Sequence, residues 1–287
     1  MRTGREGFVL VSAISVLAVL SALVVGAAVV VRASVAEARG ARDQLADDAL
    51  VHAGLEFAAY QLVVLRRPPS ELAGQRLKLD AGAVTIFAAA EAGKVDLNGA
   101  DPKLLAGLWR SLGLRSMSPE AFAERVADWR DADDKRGRAG AERADYEALG
   151  ARGPANAAFD VVDDVRNVLG VGAAEALALR PYLTVANPRG RVSALEAPPE
   201  VLRAVPGLRP QAVDQLVALR RQGGATRQAV QSVLGGASAL AAAFIGPAFR
   251  IEISIDGRRR PPRVFEILRG DDPARAYRVL REVASSR

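Results

Sequence analysis

Residues 5–32 read REGFVLVSAISVLAVLSALVVGAAVVVR, and nothing between Glu6 and Arg32 carries a charge. The apolar run from Phe8 to Val31 is 24 residues long. As a helix it extends roughly 36 Å at about 1.5 Å per residue, and a bilayer core takes about 20 apolar residues. The run is long enough to span a membrane. A cleavable secretory signal has an apolar centre of about 7–15 residues followed by a small-residue cut site. Ala36-Glu37-Ala38 offers such a site, but the run before it is too long for that class. Arg2 and Arg5 precede the span and Arg32, Arg39 and Arg42 follow it, so the basic residues do not set its orientation.

Helix-forming residues continue beyond the span. Val35 to Val64 has no Pro, and Leu45, Ala49, Leu55, Ala58 and Leu62 make a rough apolar stripe. One long helix is expected, its first half in lipid and its second half packed on a domain. Arg67-Pro68-Pro69 should end it, because Pro lacks the amide donor and disfavours helix just before it. Arg76–Leu79 and Ala83–Ala88 then read as short strands.

From Asp96 to about Gln222 the pattern is helical. Asp101-Pro102 and Ser118-Pro119 have the form of a cap followed by Pro at the first helical position. Asp163 or Asp164 is expected to cap a third helix through Val165, Val168 and Leu169. Further helices are expected at 173–179, 199–204 and 210–221. VDLNGADPKLL (95–105) is echoed by VSALEAPPEVL (192–202) at an offset of 97 residues, which reads as two uses of one turn-into-helix device.

Near the C-terminus, AFRIEISIDGRRRPPRVFEILRG (248–270) alternates apolar and polar residues. Phe249, Ile251, Ile253 and Ile255 should share one face, Val264–Leu268 should pair back as a hairpin, and 277–283 should be a last strand. Strands on both sides of a helical region imply an α+β fold in which a helical domain is inserted into an antiparallel sheet. The expected division is 1–7 leader, 8–67 helix with 8–31 as the span, 68–95 first part of the sheet domain, 96–222 inserted helical domain, and 223–287 the rest of the sheet domain.

The chain has 287 residues, 39 basic against 33 acidic, and no Cys. A disulfide framework and thiolate metal sites are excluded. The one His, His52, sits in an Ala-rich helical stretch and reads as a solvated helix residue. Nucleophilic triads that need His or Cys are thereby excluded, and no Gly-rich nucleotide loop is present. The composition points away from an enzyme, with no catalytic residue to name.

Two motifs remain open. VRNVLGVGAAEALAL (165–179) fits a helix-hairpin-helix pattern around Gly170 and Gly172, and VLRAVPGLRPQAVDQLVALR (201–220) is a weaker copy. Glycine turns of this kind either bind DNA phosphates or serve compact packing. Asp163, Asp164 and Glu175 flank the better copy and oppose phosphates, while Arg166 and Arg180 favour them. DWRDADDKRGRAGAERADY (128–146) concentrates carboxylates that suit Ca²⁺, or else pair with neighbouring arginines in a solvated loop. Lys135 and Arg136 occupy positions where an EF-hand needs a ligand and a Gly, so the loop is not an EF-hand.

Gly7 directly before Phe8, after a short basic leader, resembles a type IV prepilin or pseudopilin N-terminus. EGFVLVSAISVLAVL, GKVDLNGADPKLL, VADWRDADD with GAERADY, LALRPYLTV and APPEVLRAVPGL, in that order, together resemble GspK, the large minor pseudopilin of type II secretion. The resemblance implies a long helix, a pilin-like sheet and a large inserted helical (SAM or helix-hairpin-helix-like) domain. It implies a cut after Gly7 by prepilin peptidase, methylation of Phe8, a single pass through the inner membrane and a periplasmic body. It implies a place at the pseudopilus tip with I- and J-type minor pseudopilins, and no nucleic acid. Pilins usually carry Glu where this chain has Ser12, and GspK-type subunits lack that Glu. The family also binds Ca²⁺, which carries over to Asp131, Asp133, Asp134, Glu142 and Asp145. The alternative is a membrane-anchored helix-hairpin-helix DNA receptor.

Overall fold

The computed structural model describes residues 4–187, 189–272 and 275–283. Met1–Thr3 of the expected leader lie outside the described residues. Helix α1 runs unbroken over Gly4–Ala59 and continues as a wide turn at Tyr60–Val64 before Pro68 stops it. Strands β1 (Gln75–Leu79) and β2 (Gly82–Ala90) follow. The helical body then opens with β3 (Val95–Asp96), α2 (Pro102–Ser111), α3 (Pro119–Arg130), α4 (Arg143–Ala148) and α5 (Ala173–Leu179). It continues with β4 (Leu183–Thr184), β5 (Val192–Ser193), α6 (Pro199–Ala204), α7 (Pro210–Arg221), α8 (Arg227–Leu234) and β6 (Ala241–Ala242). The chain returns to the sheet through β7 (Ala248–Ile255), β8 (Arg263–Asp272) and β9 (Arg275–Val283).

The sheet has the order β1-β2-β7-β8-β9, with every pair antiparallel. Everything between β2 and β7 is an insertion. Strand alternation sends Phe249, Ile251 and Ile253 of β7 to one face, with Val84 and Ile86 of β2 and Phe265 and Ile267 of β8 beside them. The second half of α1 lays Leu50, Val51, Leu55, Ala58 and Leu62 on that face. Gly54 makes the approach close: a Cβ there would stand 3.2 Å from Val84 and 3.3 Å from Ile253. Charged groups pin the two together. Asp47 pairs with Arg258 (2.9 Å) and Arg260 (3.0 Å), Asp48 with Arg263 (2.6 Å), and the Tyr277 hydroxyl donates to Glu56 (2.7 Å).

The inserted body has its own core, from Val95 to Ala243. Residues 223–243, expected with the sheet, belong to this body. Val230 and Leu234, one helical turn apart on α8, bury into its core, and β6 pairs in parallel with β5. The expected boundary at 222 therefore moves to the segment between Ala243 and Ala248. A second correction concerns Asp163 and Asp164. They lie in a short 3-10 turn, Val162–Asn167, with no side-chain cap, because the chain turns extended at Val168 before a longer helix can form. Asp101 and Ser118 do cap α2 and α3, accepting from the amides of Lys103 (2.8 Å) and Ala121 (3.1 Å).

The sequence echo has a structural meaning. Val95 and Val192 each begin a two-residue strand, and Pro102 and Pro199 each begin the helix after it. The two helices, α2 and α6, cross at Gly107 and Ala204, which are themselves 97 residues apart. A Cβ on Gly107 would fall 2.0 Å from the Ala204 carbonyl oxygen. Equivalent positions thus meet at the crossing, as they do at a local two-fold axis.

Both connections between sheet and body pass one point. A Cβ on Gly93, in the outgoing segment, would lie 2.8 Å from the Glu196 backbone, and one on Gly246, in the returning segment, 2.3 Å from Ala92. Ser193 Oγ donates to the Phe244 carbonyl (2.5 Å), and the Glu196 carboxylate accepts from the Gly246 amide. Burial pushes Glu196 up to about 7, against the pull of that amide, of Ser193 and of Arg220.

Gly107→Ala should cost about 1–3 kcal/mol of stability through overpacking at the helix crossing, read as a lower denaturation midpoint; an unchanged midpoint would contradict the crossing. Glu196 keeps its proton in the folded state at pH values where the unfolded chain has lost it. Its contribution therefore becomes unfavourable as pH rises from about 4.5 through about 7, by at most about 3 kcal/mol. Glu196→Gln should gain on the wild type in melting temperature between pH 5 and pH 8, and parallel profiles would refute the assignment.

Candidate functional site

The first candidate is α1 itself. Gly7 and Phe8 fall within its backbone, and their side chains are outside the described residues. Further along, Leu17 is 65 % exposed and Val24 68 %. Among the described side chains from Ile14 to Val31 all are exposed and none is charged, so the helix presents largely apolar surface all round over this stretch. It is the one helix among the described residues long and apolar enough to cross a membrane. Beyond it, His52 is exposed and stands 3.7 Å from Glu56 one turn on, as expected of a solvated helix residue.

The second candidate is the acidic loop between α3 and α4. Asp128, in the last turn of α3, is buried, and its carboxylate accepts from the Gly137 amide at 3.2–3.3 Å. Glu124, one turn earlier, accepts from the Ala139 amide. The loop thus folds back over two acids of the helix. It can do so because residue 140 is glycine: a Cβ there would fall 1.8 Å from an Asp128 oxygen. Asp145, at the start of α4, accepts from the Glu142 amide (2.9 Å) and pairs with Arg136 (3.1 Å).

The five expected ligands separate here. Glu142 is 6 % exposed, and neither carboxylate oxygen has a hydrogen-bond partner. Its own burial, then the charges of Asp128, Asp131, Asp134 and Asp133, raise its pKa. Burial and the charge of Asp133 also raise Asp131. By contrast, Asp133 pairs with Lys135 (3.4 Å), Asp134 accepts from Asn156 (3.0 Å), and Asp145 is taken by Arg136. Among the described residues no three such side chains stand together as a metal site. Arg130 does not neutralise the loop either, since its guanidinium donates to the carbonyls of Leu97 (2.6 Å) and Ala100 (3.1 Å).

Sequence reasoning passed over Asp128 and Glu124 as loop-closing groups. Their signal was local, two acids one turn apart before a loop with glycines at 137 and 140. It also passed over Asp96, which is 1 % exposed and gathers the amides of Asn98 and Gly99 (both 2.8 Å) and Asn187 (2.7 Å). Asp96 ties the start of the body to its midpoint, and burial raises its pKa.

The second glycine turn joins two helices, α6 and α7, as expected, whereas the first has α5 after it but only the short 3-10 turn 162–167 before it. Gly170 and Gly207 have φ of 80° and 78°, a region that glycine enters at little cost. The rest of the geometry is one of packing. Val168, Val171, Val205 and Val213 all enter the body's core. A Cβ on Gly172 would fall 2.4 Å from a Glu175 oxygen, so a carboxylate already lies over the turn that starts α5. Arg180 is paired with Asp163 at 3.1 Å. Nothing in this arrangement favours the DNA-binding alternative.

Residues 87–188, from the second strand to midway through the insertion, match the family model described as "Type II secretion system (T2SS), protein K". A comparison with curated proteins finds no match. Among solved structures, the chain is similar to a chain of the GspK-GspI-GspJ complex from the enterotoxigenic Escherichia coli type 2 secretion system. The TM-score is 0.63 at 17 % identity, covering 86 % of this chain and 100 % of that one. At that identity the likeness speaks for the fold.

Proposed function

We propose that this chain is a GspK-type minor pseudopilin of type II secretion that works at the tip of the pseudopilus and starts or caps its assembly, a reading supported by its family match and its fold. The observation that carries the reading is the insertion of a complete helical body between β2 and β7 of a small antiparallel sheet mounted on one long helix. The function is structural and needs no catalytic residue.

In this reading, prepilin peptidase cuts after Gly7 and Phe8 becomes the methylated N-terminus. The 8–31 segment sits in the inner membrane until the subunit is drawn into the fibre, and the sheet and helical body face the periplasm. The partners are I- and J-type minor pseudopilins, in line with the GspK-GspI-GspJ complex that contains the chain of similar fold. Ser12 then has a physical meaning. A charge buried in an apolar fibre core is costly unless paired, and a carboxylate at that depth serves to neutralise the terminal amine of a neighbouring subunit. A tip subunit has no neighbour above it, so the carboxylate is dispensable there. The bulk of the inserted body would also obstruct a further subunit.

We further propose that the acidic loop holds Ca²⁺. The support is the chemistry of the donors: oxygen ligands only, with the buried Glu142 carboxylate unpartnered and Asp131 and Asp128 beside it. Glu142 and Asp131 would hold the ion first. Asp133, Asp134 and Asp145 would join only by leaving Lys135, Asn156 and Arg136.

Coexpression with a prepilin peptidase should yield a mature chain that mass spectrometry reads as starting at N-methyl Phe8. An intact N-terminus, or a cut near Ala38, would overturn the pilin-like reading. For the loop, millimolar Ca²⁺ should slow trypsin at Lys135, Arg136 and Arg138 at least several-fold, whereas Mg²⁺ should not. Glu142→Ala should abolish the protection, and equal cleavage with and without Ca²⁺ would remove the metal proposal.

A further inference from the structure

Next to the acidic loop, residues 151–155 and the first glycine turn, 166–171, border an open cleft of about 660 Å³. The anchor and the acidic loop do not use it. Its floor is apolar: Trp129, Val168 and Val171 line it, each buried. Arg152, Arg166 and Asn167 line it as well, and all three are exposed.

Several arginines of the body are already engaged. Arg125 donates to the Leu169 carbonyl, Arg130 to Leu97 and Ala100, Arg136 pairs with Asp145 and Arg180 with Asp163. Arg152 and Arg166 have neither an ion pair nor a side-chain hydrogen bond among the described residues. Two free guanidiniums thus stand at one cleft with an apolar floor.

The walls are fixed from behind. The Tyr146 hydroxyl accepts from the Leu169 amide at 3.0 Å, and Arg125 holds the Leu169 carbonyl at 2.7 Å. Gly153 lies so close to the rings of Tyr146 and Trp129 that a Cβ would fall 2.6 Å from the first and 2.9 Å from the second. Trp129 is itself stacked on Phe159 at 5.6 Å between centroids. A preformed cleft spends little of its binding energy on ordering.

We propose that this cleft docks an acidic peptide segment of a partner protein. An apolar side chain of the segment lies on Trp129 and Val171, and flanking carboxylates pair with Arg152 and Arg166. Arginine suits this role, because its planar fork meets a carboxylate in two parallel hydrogen bonds. Charge complementarity selects the partner and apolar contact holds it. Duplex DNA fits the cleft poorly. A concavity of this size admits one or two side chains rather than a duplex backbone, and Asp163, Asp164 and Glu175 do not line it. The inference stands apart from the pseudopilin reading, since it concerns the body's surface only.

The test uses the full chain in a neutral detergent and a fluorescein-labelled peptide, Glu-Asp-Leu-Phe-Asp-Glu, followed by anisotropy. Its uncharged analogue is Gln-Asn-Leu-Phe-Asn-Gln. The acidic peptide should bind saturably and at least tenfold more tightly than the analogue. The double variant Arg152→Glu/Arg166→Glu should lose at least tenfold in affinity with an unchanged melting curve, and Arg152→Gln/Arg166→Gln should fall between. No binding, equal binding of the two peptides, or binding that both variants leave intact would each overturn the proposal. So would a 12-base-pair DNA duplex binding more tightly than the acidic peptide.

Discussion

The contact between the second half of α1 and the sheet is the constraint on which the rest depends. Five antiparallel strands with Phe249, Ile251, Ile253, Val84 and Ile86 on one face cannot leave that face in water. The helix closes it, and Gly54 lets the two backbones come close enough for side chains to interlock. The same helix carries its apolar half beyond the sheet without a break. One element therefore serves two surroundings: apolar on all sides where it is unpartnered, and apolar on one side where it covers the sheet. Whatever holds the first half also sets the position of the body.

The insertion is built to be carried by that frame. It has its own core and its own approximate symmetry, α2 crossing α6 where Gly107 meets Ala204. It joins the sheet through two segments that run side by side at Gly93 and Gly246. Glu196 and Ser193 bind the returning segment to the body. Two adjacent segments held at one point form a short, braced neck. A load on the body is passed to β2 and β7, the central pair under α1. In the proposed role, where the body keeps a defined pose on a fibre, such a neck suits better than a flexible linker.

Much of this fold was legible in the sequence, and the reasons are local. The alternation in 248–255 reports a half-buried strand because its period is two, and Asp101-Pro102 and Ser118-Pro119 report helix starts because capping is a matter of a few adjacent atoms. The failures were of two kinds. Asp163 and Asp164 looked like caps, but a cap needs a helix after it, and the chain straightens at Val168. Helix α8 was passed over, though Thr226 caps it and Val230 and Leu234 lie four apart, because a run of small residues at 235–239 obscured the pattern. The acidic loop shows a deeper limit. The resemblance carried Ca²⁺ over to Asp131, Asp133, Asp134, Glu142 and Asp145 alike, whereas folding back over α3 gave Asp128 and Glu124 the loop-closing role, paired Asp133, Asp134 and Asp145 elsewhere and left Glu142 without partners. Which acids converge depends on contacts between residues distant in sequence, and spacing does not encode that.

The central claim is that this helix, sheet and inserted body form a tip subunit that assembles with other minor pseudopilins. The most direct measurement is copurification of the full chain, extracted in mild detergent, with tagged I- and J-type minor pseudopilins from the same cell. The account predicts a ternary complex of fixed stoichiometry that survives size-exclusion chromatography. Elution of the chain apart from both partners, with all three proteins folded, would contradict it.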